Sequence, residues 1–189
     1  MGGVTRALRI APFRRFRRGG IFWRMESWGE PARFMSDSVS RCSAHLPRLF
    51  VLNRQRALRV PLAAIRRFAE RALRLCAEQS ADGCFSLLEL EEVVVTLVSD
   101  RRIAALHKQF MDIPGPTDVI TFQHGEIVLS VETAARCGAE FGHGTWAETG
   151  LYLVHGLLHL NGYLDGTVPQ RKRMHAVQNR IWRDCLPVQ

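Results

Sequence analysis

A chain of 189 residues with 47% apolar and 23% charged side chains is long enough to bury a core as one domain, and too apolar for disorder throughout. No apolar run reaches the roughly 18 residues of a membrane-spanning helix, so no membrane partner is expected. The formal charge of +8 suggests a polyanionic partner, but the first 50 residues hold ten arginines against three acids, and the other 139 hold 16 bases against 15 acids.

Residues 1–47 are rich in Arg, Gly and Ser, with Arg14-Arg15-Phe16-Arg17-Arg18-Gly19-Gly20 as the densest run. No apolar core follows the charged start, so the segment does not read as a secretory signal. It reads as a disordered basic extension, or as an over-extended start with Met25 and Met35 as alternative starts; a basic RNA-binding arm is the other reading. Residues 48–189 are expected to form the single domain. Five cysteines, at 42, 76, 84, 137 and 185, form no C-x-x-C pair and are odd in number. That pattern fits reduced thiols in the cytoplasm.

The domain opens with an apolar strand at 49–52. A helix over 61–77 follows, with Leu62, Ile65, Phe68, Ala69, Ala72, Leu73 and Cys76 at core spacing. Its other side carries Arg66, Arg67, Arg71 and Arg74, opposed by Glu70 alone. This basic patch is either a solvated helix face or an RNA contact. Residues 80–83 are a turn, and the β-branched run 92–98 is a strand. Ser99-Asp100 caps a helix over 101–110, which Pro114-Gly115-Pro116 ends. Strands are expected at 118–122 and 126–129. Ser130, with Thr133 next in line, caps a helix over 131–139. A loop at 141–144 leads to Thr145 as cap of the next helix. Val168-Pro169 starts a last helix to about residue 185, with Met174, Val177, Ile181 and Trp182 facing the core. This mixture fits an α+β fold.

The helix after Thr145 carries the chemistry. His155 and His159 lie four residues apart, one turn along one face, among Leu151, Val154, Leu157, Leu158 and Leu160. The pair alone is a weak signal, since H-x-x-x-H arises by chance in helices. Here the apolar surroundings imply burial, and buried imidazoles need partners for their ring nitrogens. A metal ion supplies one. Gly162 can end the helix in a left-handed conformation, which brings Asp165 back toward the histidines. Two imidazoles and a carboxylate leave one position of a tetrahedral ion open, as in catalytic zinc sites, so one Zn2+ per chain is expected on His155, His159 and Asp165. Position 156 is glycine, so the H-E-x-x-H general base of a zinc protease is missing.

The order His155-Gly156-Leu157-Leu158-His159-Leu160-Asn161-Gly162-Tyr163 resembles the signature of the YbeY family of bacterial rRNA-maturation endoribonucleases. So do Pro116-Thr117-Asp118-Val119-Ile120-Thr121-Phe122, the strand from Gly125 to Ser130, and Glu148 seven residues before His155. The resemblance implies a small four-stranded mixed sheet with one antiparallel edge, packed with about five helices. It also implies a single-strand-specific, metal-dependent endoribonuclease acting on rRNA in late small-subunit maturation and ribosome quality control, with small-subunit proteins as further partners. Asp118, His124 and Glu126 are the proton-transfer candidates. Two positions depart from the pattern. Asp165 stands where the family usually has a third histidine, and Met111 stands where it usually has an arginine. Lys108, one turn earlier, is the nearest cation for an RNA phosphate. The missing arginine keeps open a second reading: a non-catalytic ribosome-assembly factor that binds rRNA or a ribosomal protein around a structural metal.

Overall fold

The computed structural model describes residues 45–79 and 86–187. Among them run β1 (Arg48–Asn53), α1 (Leu62–Ala77), a 3-10 turn (Leu87–Glu89), β2 (Glu92–Val98), α2 (Asp100–Met111), β3 (Val119–Phe122), β4 (Glu126–Ser130), α3 (Val131–Phe141), α4 (Thr145–Leu160) and α5 (Val168–Cys185). The fold is α+β, with a four-stranded sheet in the order β1-β2-β4-β3. β1, β2 and β4 are parallel, and β3 runs antiparallel to β4 at one edge, with Thr121 opposite Ile127. Most of the basic segment, the turn expected at 80–83, Cys42 and Cys84 lie outside the described residues; Cys76, Cys137 and Cys185 are free.

The strand period of two sorts the sheet into two layers. Val93, Val95, Leu97, Ile127 and Leu129 face the main core with α1, α4 and α5. Ile120, Val98 and Val128 face the other way, under Ile103 of α2. α4 occupies the middle of the main layer, between the sheet, α1, α3 and α5. Twelve of its 16 residues are buried, which explains why its sequence is apolar almost all round. Gly156 lets it lie so low on the sheet: a Cβ there would stand 2.8 Å from Ile127 Cγ2 and 3.1 Å from Thr121 Oγ1.

Local signals set most boundaries. Ser99 accepts from Arg102 N, Ser130 accepts from Thr133 N, and Thr167 forms a reciprocal capping box with Gln170. The expectation for α4 fails in one detail. Its N-cap is Gly144, at φ +79, with no side-chain cap, while Thr145 is already helical and its carbonyl receives the Thr149 hydroxyl. Backbone conformation explains glycine at 144: φ +79 with ψ 157 is a region that side-chain-bearing residues resist. Crowding explains glycine at 138, where a Cβ would come within 2.7 Å of the Gly144 backbone as α3 meets the corner into α4.

Asn161, just past α4, ties three segments together. Its side-chain amide donates to the carbonyls of Cys76 and Gln79, each at 2.8 Å, and its Oδ1 accepts from Leu87 N at 3.1 Å. The end of α1, the 3-10 turn and the end of α4 are thereby held at one end of the molecule. Replacing a buried group with this many partners leaves donors and acceptors unsatisfied at about 1–3 kcal/mol. Asn161→Leu should therefore lower stability by at least about 2 kcal/mol in urea unfolding. An unchanged denaturation midpoint would show the tie to be dispensable.

Candidate metal centre

α4 ends in a doubly bonded turn. Gly162 N donates to His159 O at 3.0 Å and Tyr163 N donates to Leu158 O at 2.9 Å, with Gly162 at φ +84. This Schellman geometry requires a residue that tolerates the left-handed region, and it reverses the chain over the histidine face. Asp165 arrives there 6% exposed. One nitrogen each of His155 and His159 and one carboxylate oxygen of Asp165 lie within 4.8 Å of one another.

The hydrogen bonds assign the imidazole protons. His155 Nδ1 sits 2.8 Å from Oε1 of Gln178, on α5, and His159 Nδ1 sits 2.9 Å from the Tyr163 carbonyl oxygen. Both partners are acceptors, so each ring donates from Nδ1, which leaves Nε2 as the nitrogen that can offer a lone pair. Those two nitrogens face each other at 3.0 Å. Two lone pairs so close repel unless a proton or a metal ion stands between them, and the adjacent carboxylate completes a donor set suited to a divalent ion. Burial, reinforced by the neighbouring His155, pushes the His159 pKa down to about 3, which keeps it in the neutral form that ligation needs. Burial likewise holds Asp165 above the usual carboxylate range, against the pull of His155 and Arg171.

The other expected site residues are distributed around this triad. Asp118 Oδ1 accepts from Val119 N at 2.8 Å and from the Thr117 hydroxyl at 2.9 Å, so it serves the turn into β3. His124 and Glu126 flank Gly125 in the β3–β4 hairpin, with His124 Nε2 3.7 Å from the Glu126 carboxylate. Asp118, His124 and Glu126 are not among the ligand-type groups that gather with the triad. Lys108 is paired with Asp112 one turn on, and Met111 packs against the Val98, Ile103, Ile120 and Val128 cluster. Arg66, Arg67, Arg71 and Arg74 are all exposed, and Arg66 reaches the Val51 carbonyl oxygen at 3.4 Å.

Two of the polar groups around the centre, one buried and one half-buried, are not singled out in the sequence as site residues. Gln178, 4% exposed, is the partner of His155. Its signal in the sequence was a polar residue at core spacing between Met174 and Ile181. The second is the His143 partner of Glu148: Glu148 is 1% exposed and its carboxylate lies 3.2 Å from His143 Nδ1.

Comparison with known proteins gives a consistent result. The sequence profile of the family described as Endoribonuclease YbeY matches residues 50–185. Endoribonuclease YbeY of Heliobacterium modesticaldum is 34% identical over 140 residues, covering 61% of this chain and 84% of the relative. Endoribonuclease YbeY of Micrococcus luteus is 36% identical over 114 residues, covering 52% and 73% respectively. The solution structure of TM1509 from Thermotoga maritima is 20% identical, covers 72% of this chain and 90% of its own, and superposes with a TM-score of 0.47.

The depressed pKa of His159 predicts a pH dependence. Unfolded, the imidazole titrates near 6.5; folded, near 3. Between those values the unfolded chain binds a proton that the folded protein refuses, so stability falls as pH drops through this window. In metal-free protein, the melting temperature of the wild type should fall more steeply from pH 6.5 to 4 than that of His159→Asn. Parallel curves would refute the assignment.

Proposed function

The chain belongs to the YbeY endoribonuclease family, and on that footing we propose that it is a metal-dependent endoribonuclease that cleaves single-stranded segments of rRNA during late small-subunit maturation and ribosome quality control. The observation that carries this reading is the triad: the Nε2 atoms of half-buried His155 and buried His159 face each other at 3.0 Å beside the buried Asp165 carboxylate. His155, His159 and Asp165 would hold one divalent ion, zinc in this reading. Bound there, the ion would supply Lewis acidity toward a phosphoryl oxygen and lower the pKa of a bound water.

The protein's own groups do the rest. Gln178 and the Tyr163 carbonyl hold the imidazole protons away from the triad and fix both rings. His124 and Glu126, adjacent in the hairpin and both partly solvent-exposed, form the proton-transfer pair of this proposal. The carboxylate takes a proton from the attacking water, and the imidazole protonates the leaving ribose oxygen as the P–O bond breaks. Asp118, already accepting two hydrogen bonds, is left to hold the start of β3. Gly156 argues against peptide hydrolysis, because a side chain there would run into Ile127 and Thr121. The exposed arginines of α1 are the proposed phosphate-tracking surface, and small-subunit proteins are the proposed neighbours on the ribosome.

A second reading, a non-catalytic assembly factor, is favoured by one observation. Met111 packs into the apolar cluster under α2, so no cation stands at the position where the family usually has arginine. Cleavage of a single-stranded oligoribonucleotide by purified protein loaded with zinc, manganese or magnesium decides between them. His155→Ala and His159→Ala should abolish both metal retention and cleavage. Met111→Arg should raise the rate roughly tenfold, the value of one charge-assisted contact to the reacting phosphate. An inactive wild type with all three metals would sink the enzyme reading.

RNA affinity should also respond to the α1 face. Arg67→Glu with Arg71→Glu should weaken binding and lower the slope of log K against log salt by about two, roughly one for each phosphate that an arginine neutralises. An unchanged slope moves the RNA-binding surface elsewhere.

A further inference from the structure

We infer that Phe110, Phe122 and His124 form a base-stacking platform that receives unpaired nucleotides of the RNA strand at the edge of the sheet next to the metal centre. The inference rests on the proposed action on single-stranded RNA, and extends it from His124 to the two phenylalanines beside it, which that reading leaves unused.

The three rings form a continuous ladder. Phe110, the penultimate residue of α2, meets Phe122 edge to face, with ring centroids 5.1 Å apart and planes at 78°. The His124 ring lies over Phe122 at 5.6 Å and 30°. Phe110 is 45% exposed, one of few large apolar side chains at the described surface to be so open, and the His124 side chain is 71% exposed. An aromatic held open to water at this level keeps apolar surface available for a partner to bury. Phe122 supports both rings from the last position of β3.

The ladder's position matters as much as its exposure. β3 is the edge strand, so nothing in the sheet flanks it on the outer side. Thr121, next to Phe122, lies against Gly156, the residue between the two ligand histidines. The hairpin that follows reaches Glu92, and the 3-10 turn just before Glu92 is bonded to Asn161 at the end of α4. The aromatic ladder and the histidine end of α4 therefore occupy the same end of the molecule, separated by a single strand. A strand of RNA crossing that edge can stack bases on the rings while its backbone passes the triad. Base–aromatic stacking needs no particular base, because every base offers a π-face. Duplex RNA keeps its bases stacked on each other and cannot use such a platform. The patch thus supplies a physical source for preference toward single strands, which the metal ligands cannot provide.

The test uses the full chain with chelator present, so that binding is read apart from cleavage. Fluorescence anisotropy with a single-stranded oligoribonucleotide should show affinity weakened about tenfold in Phe110→Ala, the order of one base–aromatic stack. Phe110→Trp should retain affinity, and its indole emission should be quenched on binding. Duplex affinity should not change in either variant. Wild-type affinity for single strands in Phe110→Ala, with the melting temperature unchanged, would overturn the platform and leave the patch to a protein partner. If the wild type itself binds no RNA, the underlying functional reading fails instead.

Discussion

Everything in this protein is arranged around the burial of one helix that carries two histidines. Burying α4 on nearly all sides supplies much of the core, through Leu153, Val154, Leu157 and Leu158, none of them measurably exposed. The same burial removes water from His159 and from part of the half-buried His155, so ring nitrogens must find partners inside the protein. The fold meets half of that demand internally, with an amide from α5 and a carbonyl from the turn that ends α4. The other half points at one spot. Stability and chemistry are linked here because the groups that fix the rings also direct their lone pairs.

The electrostatics of the centre differ from those of a site built from three neutral imidazoles. Asp165 brings a formal negative charge, and burial raises its affinity for a proton. A bound cation reverses that preference, since the carboxylate is then the cheaper state. The partner of His155 is a neutral amide, whereas metal-bound histidines often donate to a carboxylate that makes the ring more basic. One member of the triad is thus more charged, and one support less charged, than the commoner arrangement, and the changes act in opposite directions on the net charge at the centre.

The sheet edge has the opposite design problem. An uncovered edge strand invites pairing with another chain. β3 is only four residues long and ends at a hairpin with His124 and Glu126, both features that blunt an edge. Its two faces are put to different uses. Thr121 meets α4 beside the histidines, while Phe122 turns toward α2 and carries the aromatic ladder. Alternation along two adjacent residues thereby connects the histidine face of the sheet edge to the face that carries the three rings.

The sequence by itself determined what depends on short-range geometry. The four-residue spacing put His155 and His159 on one face, Gly162 set the left-handed turn, and Ser99, Ser130 and Thr167 stand where helices begin. Each of these follows from backbone preferences within one or two turns. Tertiary structure decided the rest. Thr145 has cap chemistry, yet Gly144 takes that position because the corner packed against Gly138 of α3 turns there through a backbone conformation, φ +79, that favours glycine. Gln178 looks like a flaw in an apolar face until α5 docks and brings it to a histidine 23 residues earlier in the chain. Asn161 reads as an ordinary turn residue, but it bonds segments more than 70 residues distant. Such roles cannot be read from periodicity, because they depend on which surfaces meet, and that is fixed only when the whole core packs at once.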